Sequence, residues 1–260
     1  MDLVIERQAY DTHFNYIKCL FDLTNGVAIK YTGGLKKATT PFLEEKKNLI
    51  SLTKKSLNDE YKIVLMDKDY SYASTSWLPI KSYYLIFNVL LTVEYIFKLQ
   101  KNIYNTGHVS CIDEFTRKLS SGEINFSQPI LNQVFDKNIL TYKITSGANL
   151  SRRTSMADRY KMVLRKIAWY KEGDWKRKNN INLHKTTHKA RYQNYLNSFA
   201  VSIFDFPYYM RIRSNYRDFA FIDGIDTSET AEYFKKYFGF TVHFVGALDK
   251  MKNNLVALRT

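Results

Sequence analysis

The sequence predicts a mainly α protein, a helical bundle with a long basic insertion and an N-terminal helical extension that includes a small β-hairpin. Three observations predict it. Ten glycines and four prolines in 260 residues are roughly half the usual combined share, so turns are few and elements long. Apolar residues recur at helical spacing in most segments. From Trp77 through Gln100 the chain is apolar nearly all round, the pattern of a helix enclosed by neighbours. Residues 1–75 form the extension and 76–260 the main domain, with 151–191 as its basic segment.

In chain order, residues 9–24 place Tyr10, Phe14, Ile17, Leu20, Phe21 and Leu23 on a first helix. Thr39-Thr40-Pro41 offers cap and first-turn chemistry for a second, whose stripe is Phe42, Leu43, Leu49, Ile50 and Leu52. Tyr61–Met66 and Tyr70–Thr75 are β-rich runs around Asp67-Lys68-Asp69, and they predict the hairpin. The central helix follows, until Asn105-Thr106-Gly107 breaks it. Val109, Ile112, Phe115 and Leu119 then outline a shorter helix, antiparallel to the central one, that stops near Ser120-Ser121-Gly122. Residues 123–150 are mixed and turn-like, with a strand near Leu140–Ile144. A helix over Met156–Tyr170 is interrupted by Gly173 and Asn179-Asn180. Another, about Thr187–Met210, carries Tyr192, Tyr195, Leu196, Phe199 and Ile203, with Pro207 near its end. Asp226-Thr227-Ser228-Glu229 caps a last helix that runs to about Leu258.

Composition removes several classes. Cys19 and Cys111 cannot build a disulfide framework and belong to no C-x-x-C pair, so a reducing cytoplasm fits best. The start, MDLVIERQAYD, lacks the basic and apolar regions of a signal peptide. The longest apolar run, Tyr83–Phe97, contains Asn88, Thr92 and Glu94 and falls short of the roughly twenty residues that span a membrane. No membrane partner is expected. There is no Gly-rich phosphate loop, nucleophile elbow or kinase signature, and no cofactor is implied.

The net charge of +14 is local. Between Ser151 and Arg191 stand thirteen cations: Arg152, Arg153, Arg159, Lys161, Arg165, Lys166, Lys171, Lys176, Arg177, Lys178, Lys185, Lys189 and Arg191. Against them are only Asp158, Glu172 and Asp174, which gives +10 in 41 residues and leaves +4 for the other 219. Tyr160, Trp169, Tyr170, Trp175, Tyr192 and Tyr195 are interleaved. Cations with stacking rings suit a phosphate backbone with unstacked bases. The same run also reads as a solvated helix face or a dock for an acidic protein.

Four groups could carry chemistry. His184 and His188, four apart, would share a helical face, but they lack a third ligand and stand among lysines that repel a divalent cation, so phosphate contact is preferred to a metal. Asp59, Glu60 and Lys62 resemble part of a metal-dependent nuclease motif, without the central sheet such enzymes need. His243 reads as a half-buried helix residue. RIRSNYRD, Arg211 to Asp218, holds Arg211, Arg213 and Arg217 within seven residues, with Asn215 and Tyr216 beside them. Guanidinium forks there could grip a phosphate bidentately, or pair with Asp205, Asp218 or Asp223 as structural links.

The order of KSYYLIFNVLLTVEYI (Lys81 to Ile96), GHVSCIDEFTRKL (Gly107 to Leu119), a long later helix, RIRSNYRD and a closing helix resembles the higher eukaryotes and prokaryotes nucleotide-binding (HEPN) superfamily. The likeness covers about Trp77 to Val256. It implies RNA rather than DNA as partner and a metal-independent endoribonuclease of a bacterial defence or toxin–antitoxin system, with a homodimer and an antitoxin or defence protein as further partners. Arg211 matches the arginine of the family's Arg-x(4–6)-His motif, and Tyr216 stands where the histidine would be. The resemblance thus implies Arg211, Tyr216 and Asn215 as catalytic residues. A tyrosine is a poor base at neutral pH, so His243, His184 or His188 are alternative proton acceptors. Two other functions stay open: a non-catalytic binding or partner module, and a DNA-binding nuclease or restriction accessory protein.

Overall fold

The computed structural model describes residues 3–34, 41–98, 107–145, 147–150, 154–215, 222 and 224–257. These residues form eight α-helices: α1 (Leu3–Thr24), α2 (Pro41–Met66), α3 (Lys68–Lys98), α4 (His108–Ser120), α5 (Met156–Lys178), α6 (Thr186–Asn197), α7 (Asp205–Asn215) and α8 (Thr227–Ala257). Two three-residue strands, β1 (Ile29–Tyr31) and β2 (Ile124–Phe126), complete the regular structure. The protein is mainly α, as its low glycine and proline content predicts.

The apolar all-round helix is the hub. α3 packs along α8 and also meets α2, α7 and α4. Leu78, Val89, Val93 and Ile96 are buried on it. By length and composition alone α3 could cross a membrane, but 78% of its apolar window is buried in protein. Small hydroxyls let the two long helices approach: Thr241 Oγ1 donates to Ser82 Oγ at 3.0 Å. Phe115, Phe126, Phe204 and Phe244 tie α4, β2, the segment before α7 and α8 together, with ring centroids 5.2 to 5.8 Å apart at Phe204. α1 lies on α8 and α5, and the apolar residues of α1 and α2 join the same buried cluster. The position between residues 75 and 76 falls inside α3.

The β-rich runs on either side of Asp67 are not strands. Tyr61–Met66 ends α2 and Tyr70–Thr75 begins α3. Burial there recurs at Ser71, Ser74, Thr75 and Leu78, which is helical spacing. Asp67 acts as a cap instead, its Oδ1 accepting from the backbone N–H of Asp69 at 3.0 Å and Tyr70 at 3.2 Å. The N-terminal strand is β1, antiparallel to β2 with Ile29 opposite Phe126 and Tyr31 opposite Ile124. Gly122 opens the way into β2 after α4: its φ of +75° favours glycine. Residues 140–144 are not a strand, since Lys137–Thr141 forms a 3-10 turn capped by Asp136.

Two helix boundaries also differ from expectation. Gly173 lies inside α5, because the helix face around it is buried at Lys171 and Glu172. The helix expected over Thr187–Met210 is two helices. α6 closes at Ser198, Val201 bridges to Phe135, and a capping box restarts the chain as α7. In that box Ser202 Oγ accepts from the N–H of Phe204 at 3.2 Å, while the Asp205 carboxylate accepts from the N–H of Ser202 at 2.9 Å. Pro207 therefore stands in the first turn of α7, where a missing N–H costs little.

A buried ion pair lies where α4, α5 and α7 meet. Lys171 Nζ donates to Asp205 at 2.9 Å, to Asp113 at 2.8 Å and to the carbonyl of Ala200 at 2.9 Å. Burial opposes the charge on Lys171, yet Asp205 and Asp113 outweigh it and raise its pKa. Its contribution is thus complete below the ordinary lysine value of about 10.4 and disappears as pH climbs through the raised one. Lys171→Met would leave Asp205, 1% exposed, without its cation. The expected loss is about 3 kcal/mol of unfolding free energy, read as a lower urea midpoint; an unchanged midpoint would contradict this role.

Candidate nucleic-acid interface

Helical spacing on α5 puts Lys171, Asp174, Trp175 and Lys178 on one face. That face, α4 and the segment from α6 to α7 enclose an open cleft of about 810 Å³. Trp175 is stacked on Tyr195, with centroids 4.1 Å apart and planes within 8°. Tyr195 donates to the Lys171 carbonyl at 3.4 Å, and the Tyr192 hydroxyl donates to Glu172, so α6 is pinned to α5 by its tyrosines. The floor holds Lys171 and Asp113, and the rim holds Arg117 and Lys178. A second depression of about 220 Å³ shares Asp174 and Tyr209 with the first and continues to Tyr170, Arg177 and Arg213. The two make one groove along α5.

Acids hold the rim cations in place without cancelling them. Asp174 accepts from both Arg177 and Lys178 at 2.8 Å, and Glu172 pairs with Lys176 at 2.7 Å. Arg177 stays 74% exposed and Lys178 59%. Lys176, Arg177 and Lys178 also complement the negative end of the α5 dipole, a structural role compatible with binding. Lys185, Lys189 and Arg191 are exposed around α6, which buries none of its residues.

The basic segment serves two faces. On the groove side are Lys178 and Arg177, joined by Arg213 of α7, which lines the second depression and also lies near His13 of α1. Toward α1, Arg159 lies near Cys19, Arg165 near Tyr16 and Lys166 near His13. Arg165 rests over Trp169 with its carbon 6.0 Å from the ring centre, and Lys166 stands 5.1 Å from the same ring. Arg152, Arg153, Tyr216 and Arg217 lie outside the described residues, as does the side chain of Asn215, the last residue of α7. His184 precedes α6 and does not share a helical face with His188. The Nδ1 of His188 accepts from the N–H of Asn182 at 2.9 Å, closing the turn before α6. Among the described residues, no three His, Cys, Asp or Glu groups converge on a metal-sized site. Asp59, Glu60 and Lys62 sit on α2, far from any strand motif: Glu60 is held by Lys81 at 2.7 Å and Lys62 by Asp59 at 3.1 Å.

The arginine cluster opens rather than converging, because residues two apart on a helix face different ways. Arg213 goes to α5, 4.4 Å over Tyr170. Arg211 goes to α3 and α4. Its guanidinium carbon lies 5.2 Å from the Tyr83 ring centre, 5.4 Å from Tyr84 and 5.9 Å from Tyr208, and its Nε is buried with no hydrogen-bond partner. Of the acids expected to hold it, Asp205 is committed to Lys171, and Asp218 and Asp223 lie outside the described residues. In the same cage is His108, the first residue of α4. Its Nδ1 is hydrogen-bonded to the Tyr83 hydroxyl, and its ring packs 4.3 Å from Phe87. Burial, then the charge of Arg211, lowers the His108 pKa below its ordinary value. Burial drives the Tyr83 phenol strongly the other way. Tyr208 of the cage is followed on α7 by Tyr209, which lines both depressions of the groove.

Sequence reasoning did not single out His108. It stands 103 positions from Arg211, and nothing in spacing links them; a histidine at the first position after a glycine turn is the only local signal. His243, an alternative base, instead packs 5.1 Å from Phe21 between α1 and α8, half-buried.

No protein-family model, curated protein or solved structure matches this chain. The site's own geometry therefore carries the functional argument.

If the groove binds a single strand, each cation removed from it should flatten the plot of log affinity against log salt by about 0.7. Arg177→Gln and Lys178→Gln should each do so in fluorescence anisotropy titrations, while Arg159→Gln, on the α1 side, leaves the slope unchanged. Equal slopes for all three variants would contradict the assignment.

Proposed function

We propose that this chain is an RNA-binding protein of HEPN-like type that holds a single strand along the α5 groove and cuts it without a metal at the cage formed by Arg211, His108 and Tyr83. The observation that supports the reading is a half-buried arginine whose Nε is buried without a hydrogen-bond partner, beside an imidazole whose pKa is lowered, two residues along α7 from Tyr209, which lines the cationic, ring-walled groove. RNA supplies its own nucleophile, the 2′-hydroxyl. Cleavage needs a base to take that proton and a cation to stabilise the crowded anionic phosphorane. Arg211 is the cation, and its planar fork matches two phosphate oxygens.

His108 is the base in place of the residues first expected. With its pKa lowered, the ring is neutral at pH 7. When the Tyr83 oxygen accepts from Nδ1–H, Nε2 is left unprotonated and able to take the 2′-hydroxyl proton; as the 2′-oxygen bonds to phosphorus the P–O5′ bond breaks, and the departing 5′-oxygen takes a proton from water. Tyr83 is a positioning residue that fixes the ring and its tautomer.

Incubating single-stranded RNA with the protein in EDTA should yield fragments ending in a 2′,3′-cyclic phosphate. His108→Ala and Arg211→Ala should each lower the rate by about a hundredfold or more. The wild-type rate should fall on the acid side with a midpoint below the ordinary histidine value of about 6.5. Salt-sensitive binding with no cleavage would reduce the function to a non-catalytic binding module. Mg²⁺-dependent cutting of duplex DNA, lost in Glu60→Ala, would overturn the proposal.

A further inference from the structure

The 810 Å³ cleft has features that phosphate binding alone does not require. Its volume is in the range of small-ligand sites, about 300–1,000 Å³, and suits one extruded nucleotide rather than a duplex. One wall is the Trp175–Tyr195 stack, in which each ring covers one face of the other and leaves its outer face for a base, with Phe199 edge to face against Tyr195 at 5.6 Å. The opposite side carries Asp113, whose side chain is 52% exposed. Only its Oδ1 has a described partner, Lys171, which Asp205 also holds from below. The cleft thus presents a stacking wall, a half-free carboxylate and a cationic rim at Lys178 and Arg117.

We infer that this cleft receives one unstacked base of the bound strand against Trp175 and Tyr195, with Asp113 accepting a hydrogen bond from the base's exocyclic amino group, so that amino-bearing bases are favoured over uracil. The inference rests on reading the groove as a nucleic-acid interface. Its chemistry is general. Every base has a π face that stacks on an aromatic ring, so the wall gives affinity without sequence preference. A carboxylate accepts from the N4 amino group of cytosine, whereas uracil turns a carbonyl oxygen to the same place and is repelled. Asp174 cannot do this, because both its oxygens are taken by Arg177 and Lys178.

The test uses fluorescence anisotropy at one fixed salt concentration with 2′-O-methylated octamers, which lack the attacking hydroxyl and survive any cleavage. Three are compared: all-cytosine, all-uracil and an abasic ribose-phosphate chain. The wild-type protein should bind the cytosine octamer about tenfold more tightly than the abasic chain, with the uracil octamer between them. Trp175→Ala should remove the advantage of a base, and Trp175→Phe should keep most of it. Asp113→Asn, which leaves Lys171 with Asp205, should close the gap between cytosine and uracil, since an amide can donate to a carbonyl as well as accept. Abasic and cytosine chains bound equally by the wild type would overturn the base cleft while the groove stands. Equal cytosine and uracil affinities would overturn the role of Asp113. Binding of none of the three would overturn the groove reading itself.

Discussion

Lys171 sets the geometry on which the remainder of the site depends. A lysine that is 9% exposed in the middle of a basic helix would be costly unless its charge were matched. It is matched by Asp113 of α4 and Asp205 of α7, and the backbone carbonyl of Ala200 accepts a third hydrogen bond from the ammonium. Asp205 is anchored in turn by the N–H of Ser202, whose hydroxyl bonds Thr116 at 2.7 Å. Three helices are therefore clamped at one point. The clamp fixes the start of α7, and helical rotation over the six and eight residues that follow Asp205 then determines where Arg211 and Arg213 look.

That constraint explains why a basic segment does not act as a uniform patch. Once α5 is held by Lys171, one face of it looks across the cleft to α4 and the other across to α1. Arg177 and Lys178 fall on the first side, Arg159, Arg165 and Lys166 on the second. Arg211 and Arg213 are separated in the same way by helical rotation. Arg213 lines the groove, whereas Arg211 enters a cage of tyrosines in which, among the described residues, no carboxylate pairs with it. A guanidinium placed over π faces keeps its charge available to an anion, which an ion pair would not. In the proposed function the groove would collect the strand and Arg211, in its cage, would meet the phosphate.

Much of the fold was legible, and the misses have definite causes. The all-round apolar character of α3, the Asp226 cap of α8 and the Pro41 start of α2 are local signals that tertiary structure does not override. The runs beside Asp67 were misread because tyrosines and valines have strand propensity, while burial follows helical spacing at Ser71, Ser74, Thr75 and Leu78. The break between α6 and α7 was signalled by Ser202 and Asp205 as a capping box, hidden inside an apolar stripe that continued through Phe199 and Ile203. At the candidate site, Arg211, Arg213, Arg177 and Lys178 could be named from sequence, whereas Arg117 on the cleft rim could not. His108 could not, because its nearness to Arg211 arises only when α3, α4 and α7 close around Tyr83. The half-free carboxylate of Asp113 in the cleft was invisible for the same reason.

The central claim is that a single strand of RNA runs along α5 past Trp175 to the Arg211 cage. Ultraviolet cross-linking of single-stranded RNA to the whole protein, followed by mass-spectrometric mapping of the adducts, tests it most directly. Adducts should concentrate on the α5 and α6 rings, Trp175 and Tyr195, and on Tyr84 or Tyr208 beside Arg211. Adducts confined to α2 and the C-terminal half of α8 would contradict the account.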